Sequence, residues 1–293
     1  MNKDLASKSD YWPPRLRPIK AARHLLRVAM GIFRKRPIAQ DLYALIYGNP
    51  VVRAVRFMNL GHFPLPNGFL HDPAWASETL QAGLYHRVLS EGAALLGQAP
   101  QSLVEVACGR GGGTLYAQAL FPETRLTVLD AQPDAVRAAR ELANPGCTNV
   151  LVGLGGALPF APASFDMVIS VEAMMNLGRE EFLAESARVL RPGGILSVSG
   201  FQNCPPAALR EQLMRDAEAS GLRLLTCQDI TKEMLAACDI DSKRREQVIR
   251  RGPRIGHGYM RNFAQLPDTP AYRSFLEGRR CYFLAAFIQS ESH

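Results

Sequence analysis

SLVEVACGRGGGTLYAQALFPETRLTVLD, residues 102–130, decides the fold. Residues 102–108 are a short apolar run that breaks on Gly109-Arg110-Gly111-Gly112-Gly113. Residues 114–121 continue with helical spacing, and residues 125–130 form a second apolar run that ends in a carboxylate. Strand, glycine turn, helix and strand make up the unit of a parallel sheet, because parallel neighbours need a crossover long enough to hold a helix.

The alternation continues outward. Residues 133–143 read as a helix, 149–153 as a third strand and 165–173 as a fourth. Residues 179–190 form an amphipathic helix that stops before Arg191-Pro192-Gly193-Gly194, and 195–201 are a fifth strand. A helix over 206–221 is ended by Gly221, and residues 222–230 and 281–289 are the last two strands. The pattern predicts a mostly parallel α/β sheet with helices on both faces and a ligand outside the carboxyl ends of its strands. Residues 38–101 and 232–280 do not fit the alternation; both are mainly helical in tendency and placed to fold over the strand ends. The expected divisions are a head over 1–36, a helical cap over 37–101, and a main domain over 102–293 with a lid insertion at 232–280.

Of 293 residues, 47% are hydrophobic and 21% charged, a globular composition that excludes disordered and fibrous classes. No apolar stretch approaches the ~20 residues of a spanning helix. The six cysteines are scattered, with neither zinc-ligand spacing nor a disulfide framework, so no metal is expected and a cytoplasmic location is the economical reading. The net charge of +7 is concentrated in residues 1–36, which carry +8, while the other 257 residues carry −1. That balance speaks against a nucleic-acid partner, which calls for a basic stripe on the folded body. Between Pro18 and Pro37 the head has helical apolar spacing with interleaved arginines. Three readings stay open for it: packing on the protein's own body, peripheral contact of residues 15–36 with an anionic membrane, and a targeting peptide. Nothing in the sequence fixes an oligomeric state.

Glycines after the first strand let a ligand approach the backbone and its amides. About twenty residues on, Asp130 ends the second strand where a carboxylate can take two ribose hydroxyls. The pair points to an adenosine-containing cofactor. Residues 109–114 read GRGGGT and lack the third glycine of a dinucleotide site. Glu105, four residues before the first glycine, suits a cationic ligand and would repel a pyrophosphate. S-adenosyl-L-methionine fits both facts.

EVACGRGGGTLY, LTVLD, LPFAPASFDMVISVEA and RVLRPGGILSVSGF together resemble the successive motifs of class I S-adenosylmethionine-dependent methyltransferases. Outside them, MNLGHFP (58–64), LYHRV (84–88) and DIT (229–231) are similar to small-molecule O-methyltransferases of the phthiotriolone/phenolphthiocerol dimycocerosate type. The prenyl-diphosphate C-methyltransferases, which carry a glutamate after strand four, are a second similar group. The resemblance implies a Rossmann-like seven-stranded, mostly parallel sheet with an antiparallel last strand, a helical N-terminal extension and a helical lid. It implies that Glu105, Ala107, Gly109 and Gly111 line the methionine end of the cofactor, and that Asp130 holds the ribose. Ala131, Gln132, Gly155 and Leu158 would border the adenine, and Val171 the sulfonium. The candidate bases are Glu172, His62 and His257. Two departures stand out. Leu154 replaces the aspartate that reaches the adenine amino group, and Met175 replaces a histidine three positions after Glu172.

These residues imply an enzyme that methylates an apolar small-molecule natural product, foremost at a hydroxyl. The alternatives are C-methylation of a prenyl diphosphate, with Glu172 as cation stabiliser or base and Arg250, Arg251 and Arg254 as available cations, and a non-catalytic protein that kept the fold.

Overall fold

The computed structural model describes residues 55–252, 254 and 256–289. The basic head, including residues 15–36, and the first part of the 37–101 cap lie outside the described residues. Contacts divide the chain into Met1–Asn49 and Pro50–His293, and all described residues belong to the second unit.

Seven strands form one sheet: β1 (Ser102–Val106), β2 (Arg125–Asp130), β3 (Thr148–Val152), β4 (Phe165–Val171), β5 (Leu190–Gln202), β6 (Leu222–Asp229) and β7 (Cys281–Gln289). Their order is β3-β2-β1-β4-β5-β7-β6. The first five in that order are parallel, and β7 runs antiparallel between β5 and β6. The eight α-helices among the described residues are α1 (Thr79–Leu96), α2 (Gly112–Leu120), α3 (Pro133–Leu142), α4 (Arg179–Val189), α5 (Pro206–Glu218), α6 (Thr231–Arg250), α7 (His257–Phe263) and α8 (Pro270–Leu276). The mostly parallel sheet expected from the alternation is therefore present, with its antiparallel last strand. None of the described helices is long and apolar enough to cross a membrane.

The boundaries differ from expectation at two places. The fourth strand stops at Val171 rather than residue 173, because Glu172 takes φ 57° and the chain enters a 3-10 turn at Met174–Asn176. The fifth strand begins at Leu190 rather than 195. Phe165 faces Leu190 and Met167 faces Ile195, so Arg191–Gly194 loop out of the register opposite Asp166.

Side-chain alternation splits the core in two. Leu103, Met167, Ile169, Tyr282 and Leu284 point to one face, against Leu84, Val88 and Leu89 of α1 and Met234 of α6. Val104, Val106, Val168, Leu196, Val198 and Phe283 point to the other, against Phe182 and Leu183 of α4 and Leu209 and Leu213 of α5. The first face also receives Phe57, Leu60 and Trp75, so residues 55–101 share one core with the strands. Glu105 alternates onto that same apolar face. It is fully buried, and this one placement sets up the chemistry of the site.

Candidate active site

β1 lies between β2 and β4, so the crossovers leave it in opposite directions and open a crevice at its carboxyl end. The Gly-rich turn forms the floor. Ala107, Gly109 and Gly111 all take left-handed φ, at 63°, 55° and 83°. For Ala107 that conformation costs roughly 1–2 kcal/mol, a strain typical of ligand-facing loops. Gly111 is the N-cap of α2, and a Cβ there would lie 2.7 Å from the Ala139 Cα of α3. A Cβ at Gly113 would lie 2.1 Å from Tyr85 Cε1 and 2.4 Å from Glu105 Oε1, so only glycine lets helix α1 approach this turn.

Two carboxylates flank the turn. Tyr85 donates its hydroxyl to Glu105 Oε1 at 2.7 Å, and Thr114 donates to Oε2 at 3.4 Å. Two neutral donors do not offset the desolvation of a charge, and burial pushes the Glu105 carboxyl up to about 7. Asp130 accepts from the Gly109 amide at 3.0 Å and from the Gln132 amide at 2.8 Å, and burial raises its proton affinity above that of an ordinary aspartate. Neither acid is ion-paired among the described residues. A ligand with a cationic end at Glu105 and a diol at Asp130 would complete both, which is the fit expected of S-adenosylmethionine.

The Glu105 environment has a sign that can be tested. A carboxyl whose proton is held more tightly in the folded than in the unfolded chain loses stability as pH rises from about 4.5 toward 7. Glu105→Gln is therefore expected to stabilise the ligand-free protein at pH 8, by on the order of 2 kcal/mol, and to change little at pH 4. Thermal denaturation at the two pH values checks this; equal effects at both would sink it.

The remaining candidates on this side are Ala131, Gln132, Gly155, Leu158 and Val171. Ala131 and Gln132 follow the Asp130 carboxylate into α3, Ala131 exposed and Gln132 partly so. Gly155 is buried, and a Cβ there would lie 3.0 Å from the Leu177 and Val106 side chains; Leu158 is buried with its amide donating to Glu185 at 2.7 Å. Val171 is buried at the end of β4. Leu154 is 56% exposed and its carbonyl accepts from the Ala157 amide, in a small bridge that borders this edge.

A strap of residues 55–63 crosses the strand ends. Glu78 accepts from the amides of Arg56 and Phe57, and the Arg56 carbonyl accepts from the Gly112 amide at 3.2 Å. Further along, the Leu60 amide donates to Glu172 Oε1 at 2.6 Å. Tyr282 of β7 donates its hydroxyl to the same oxygen. The backbone of Glu172 is held in its left-handed conformation by its amide, which donates to the Ser199 carbonyl at 2.7 Å. Burial pushes this carboxyl up to about 7, against the lowering effect of its Tyr282 and Leu60 hydrogen bonds and of the Arg245 charge. Oε2 has no hydrogen-bond partner among the described residues.

His62 sits on the strap two residues past Leu60 and is buried. Its Nδ1 meets the Pro64 carbonyl at 2.9 Å, its amide donates to the Leu80 carbonyl, and burial lowers its proton affinity. Donation from Nδ1 leaves Nε2 as the free base position. His257 opens α7, where Nε2 meets the Gly252 carbonyl at 3.0 Å and the amide donates to the Arg254 carbonyl. The described contacts bring Glu172, the strap and Tyr282 together; they do not bring His257 to them. The sequence reading missed Tyr85, Tyr282 and Arg245. Tyr85 lies inside the quoted LYHRV motif, but neither Tyr282 nor Arg245 carries a local signal.

Residues 104–198 match the family model described as a methyltransferase domain. The chain is 30% identical over 208 residues to a phthiotriol/phenolphthiotriol dimycocerosates methyltransferase of Mycobacterium tuberculosis strain H37Rv, covering 70% of this chain and 74% of that one. It is 28% identical over 190 residues to a fatty-acid O-methyltransferase of Mycolicibacterium smegmatis, covering 64% and 67%. Its fold resembles the geranyl diphosphate C-methyltransferase of Streptomyces coelicolor A3(2), solved with geranyl diphosphate and S-adenosyl-L-homocysteine, at a TM-score of 0.60, 18% identity and coverage of 87% and 98%. With the glycine turn, the two buried acids that flank it and these relatives in hand, the chain belongs to the S-adenosylmethionine-dependent methyltransferases and is an enzyme that uses that cofactor.

Proposed function

We propose that this enzyme transfers the cofactor's methyl group to a hydroxyl oxygen of an apolar small molecule, with Glu172 as the base. Bound S-adenosylmethionine supplies an electrophilic methyl on a sulfonium, so the protein's work is alignment, exclusion of water and removal of one proton. Glu105, Ala107, Gly109 and Gly111 hold the methionine end, Asp130 holds the ribose, and Ala131, Gln132, Gly155 and Leu158 border the adenine. Val171 lies beside the sulfonium. The observation that carries the reading is Glu172: a strand-end carboxyl in a strained backbone position, with one oxygen fixed by two donors and the other without a partner among the described residues. A proton affinity near 7 matches the range in which a general base is effective at neutral pH. As an acceptor at Oε2, Glu172 takes the hydroxyl proton while Leu60 and Tyr282 keep the carboxyl oriented. His62, with both its ring and its amide engaged in shaping the strap, is assigned to the cap, and His257 to the lid.

The apolar acceptor is supported by the names of the relatives, which act on dimycocerosates and fatty acids. The second reading, C-methylation of a prenyl diphosphate, would use the same Glu172. It has less support, because the arginines it needs lie at the exposed end of α6, where Arg250 pairs with Glu246. The test is a methyl-labelling assay with an extract of the source cells, partitioned between organic solvent and water. Label in the organic phase is the expected result. Label that stays aqueous and moves only after phosphatase treatment would replace the first reading with the second.

A further inference from the structure

We propose that Arg245 is a positioning residue for methyl transfer, acting on Glu172 through the backbone of Leu60. Arg245 is 8% exposed on α6, and its hydrogen bonds among the described residues go to Asp241, Cys238, Ala264 and Leu60, not to Glu172. Its Nη2 donates to the Leu60 carbonyl at 2.6 Å, and the amide of that same residue donates to Glu172. Its Nη1 donates to the Ala264 carbonyl at 2.9 Å and reaches the Cys238 sulfur at 3.4 Å. Its Nε donates to Asp241 Oδ2 at 2.9 Å. The guanidinium thus ties the strap, α6 and the segment after α7 to one point.

The charge balance around it is uneven. Asp241 also takes Arg244 on both oxygens at 2.6 Å, and Gln81 at 2.8 Å. One carboxylate between two guanidiniums leaves a cluster with an excess positive charge, and the Arg245 charge favours ionised Glu172. A lone buried cation is expensive unless its neighbours answer it. Arg245 therefore does two things for Glu172: it fixes the carbonyl whose residue presents the orienting amide, and it stabilises the carboxylate across the strap. The groups facing Glu172 are Tyr282 from β7, Arg245 and Cys238 from α6, and the Leu60 amide from the strap. Of these, Arg245 is the cation, and burial keeps the Tyr282 hydroxyl and the Cys238 thiol protonated.

The inference rests on the reading of Glu172 as the base, but its test does not depend on activity alone. The probes are infrared difference titration of the Glu172 carboxyl, referenced to Glu172→Gln, and hydrogen exchange at the Leu60 amide, both on the full chain. In Arg245→Met, Glu172 is expected to bind its proton roughly tenfold more tightly, and the Leu60 amide to exchange at least about tenfold faster. Methyl transfer from labelled cofactor to the source-cell lipid extract should fall at pH 7 and recover toward pH 9. Arg245→Lys keeps the charge but not the fork, so it should restore the Glu172 titration while leaving Leu60 exchange fast. If the Met variant does not fold, the Lys variant carries the test alone through Leu60 exchange. A folded variant with an unchanged Glu172 titration and unchanged Leu60 exchange would overturn the proposal, as would an activity loss equal at every pH. Failure of the base assignment would appear separately, as an undiminished rate in Glu172→Gln.

Discussion

Glu172→Gln is expected to lower kcat by about two to three orders of magnitude while leaving KM for S-adenosylmethionine within roughly threefold of wild type. The amide keeps the oxygen that accepts from Leu60 and Tyr282, so the strap and the strand end stay in place. What is removed is the ability to take a proton. The pH profile carries the sharper signature. A base whose proton leaves near 7 must be deprotonated to act, so wild-type kcat should rise as pH increases through that value and level off above it. The Gln variant should lose that limb. A rate within a few-fold of wild type at every pH would move the proton's destination elsewhere, with the free Nε2 of His62 the next group to examine.

Asp130→Ala is expected to weaken cofactor binding by about 10- to 150-fold, the range for losing hydrogen bonds to a charged group. The effect has two sources. The carboxylate proposed to hold the ribose diol would be gone, and the amides of Gly109 and Gln132, which it now fixes at 3.0 and 2.8 Å, would lose their acceptor. Asp130→Asn separates them, because its side-chain oxygen can still accept from one amide but carries no charge. Isothermal titration with S-adenosylmethionine measures both variants. Because Asp130 lies at the end of β2 and Glu172 beyond the end of β4, the first change should act on affinity and the second on turnover. A variant pair that behaved the other way would exchange the two assignments.

The fold was legible because its signals are local. A glycine turn between an apolar run and a helix, then a carboxylate at the next strand end, needs no knowledge of distant residues. Glu105, Asp130 and Glu172 were all readable as strand-end acids for that reason. The unread part of the site is made of long-range pairings. Tyr282 lies 110 residues from Glu172 and Arg245 lies 185 from Leu60, and neither has a periodicity or spacing that marks it. Arg245 stands in SKRREQVIRR among basic residues that look like a solvated helix face, and its burial follows from the packing of α6 on the strap. The end of β4 was misread by two residues for a related reason. The expected strand ran through Ala173, but the left-handed turn at Glu172 is imposed by its tertiary contacts with Ser199 and Leu60.

The most direct measurement is the chemical position of the transferred methyl. The purified 293-residue enzyme, given S-adenosylmethionine labelled with carbon-13 in its methyl group and the lipid extract of its source cells, yields a product whose methyl can be read by carbon–proton correlation. The expected result is a methyl bonded to oxygen in an organic-soluble product, formed by wild type and lost in Glu172→Gln. A methyl bonded to carbon, or a product formed equally by the Gln variant, would contradict it.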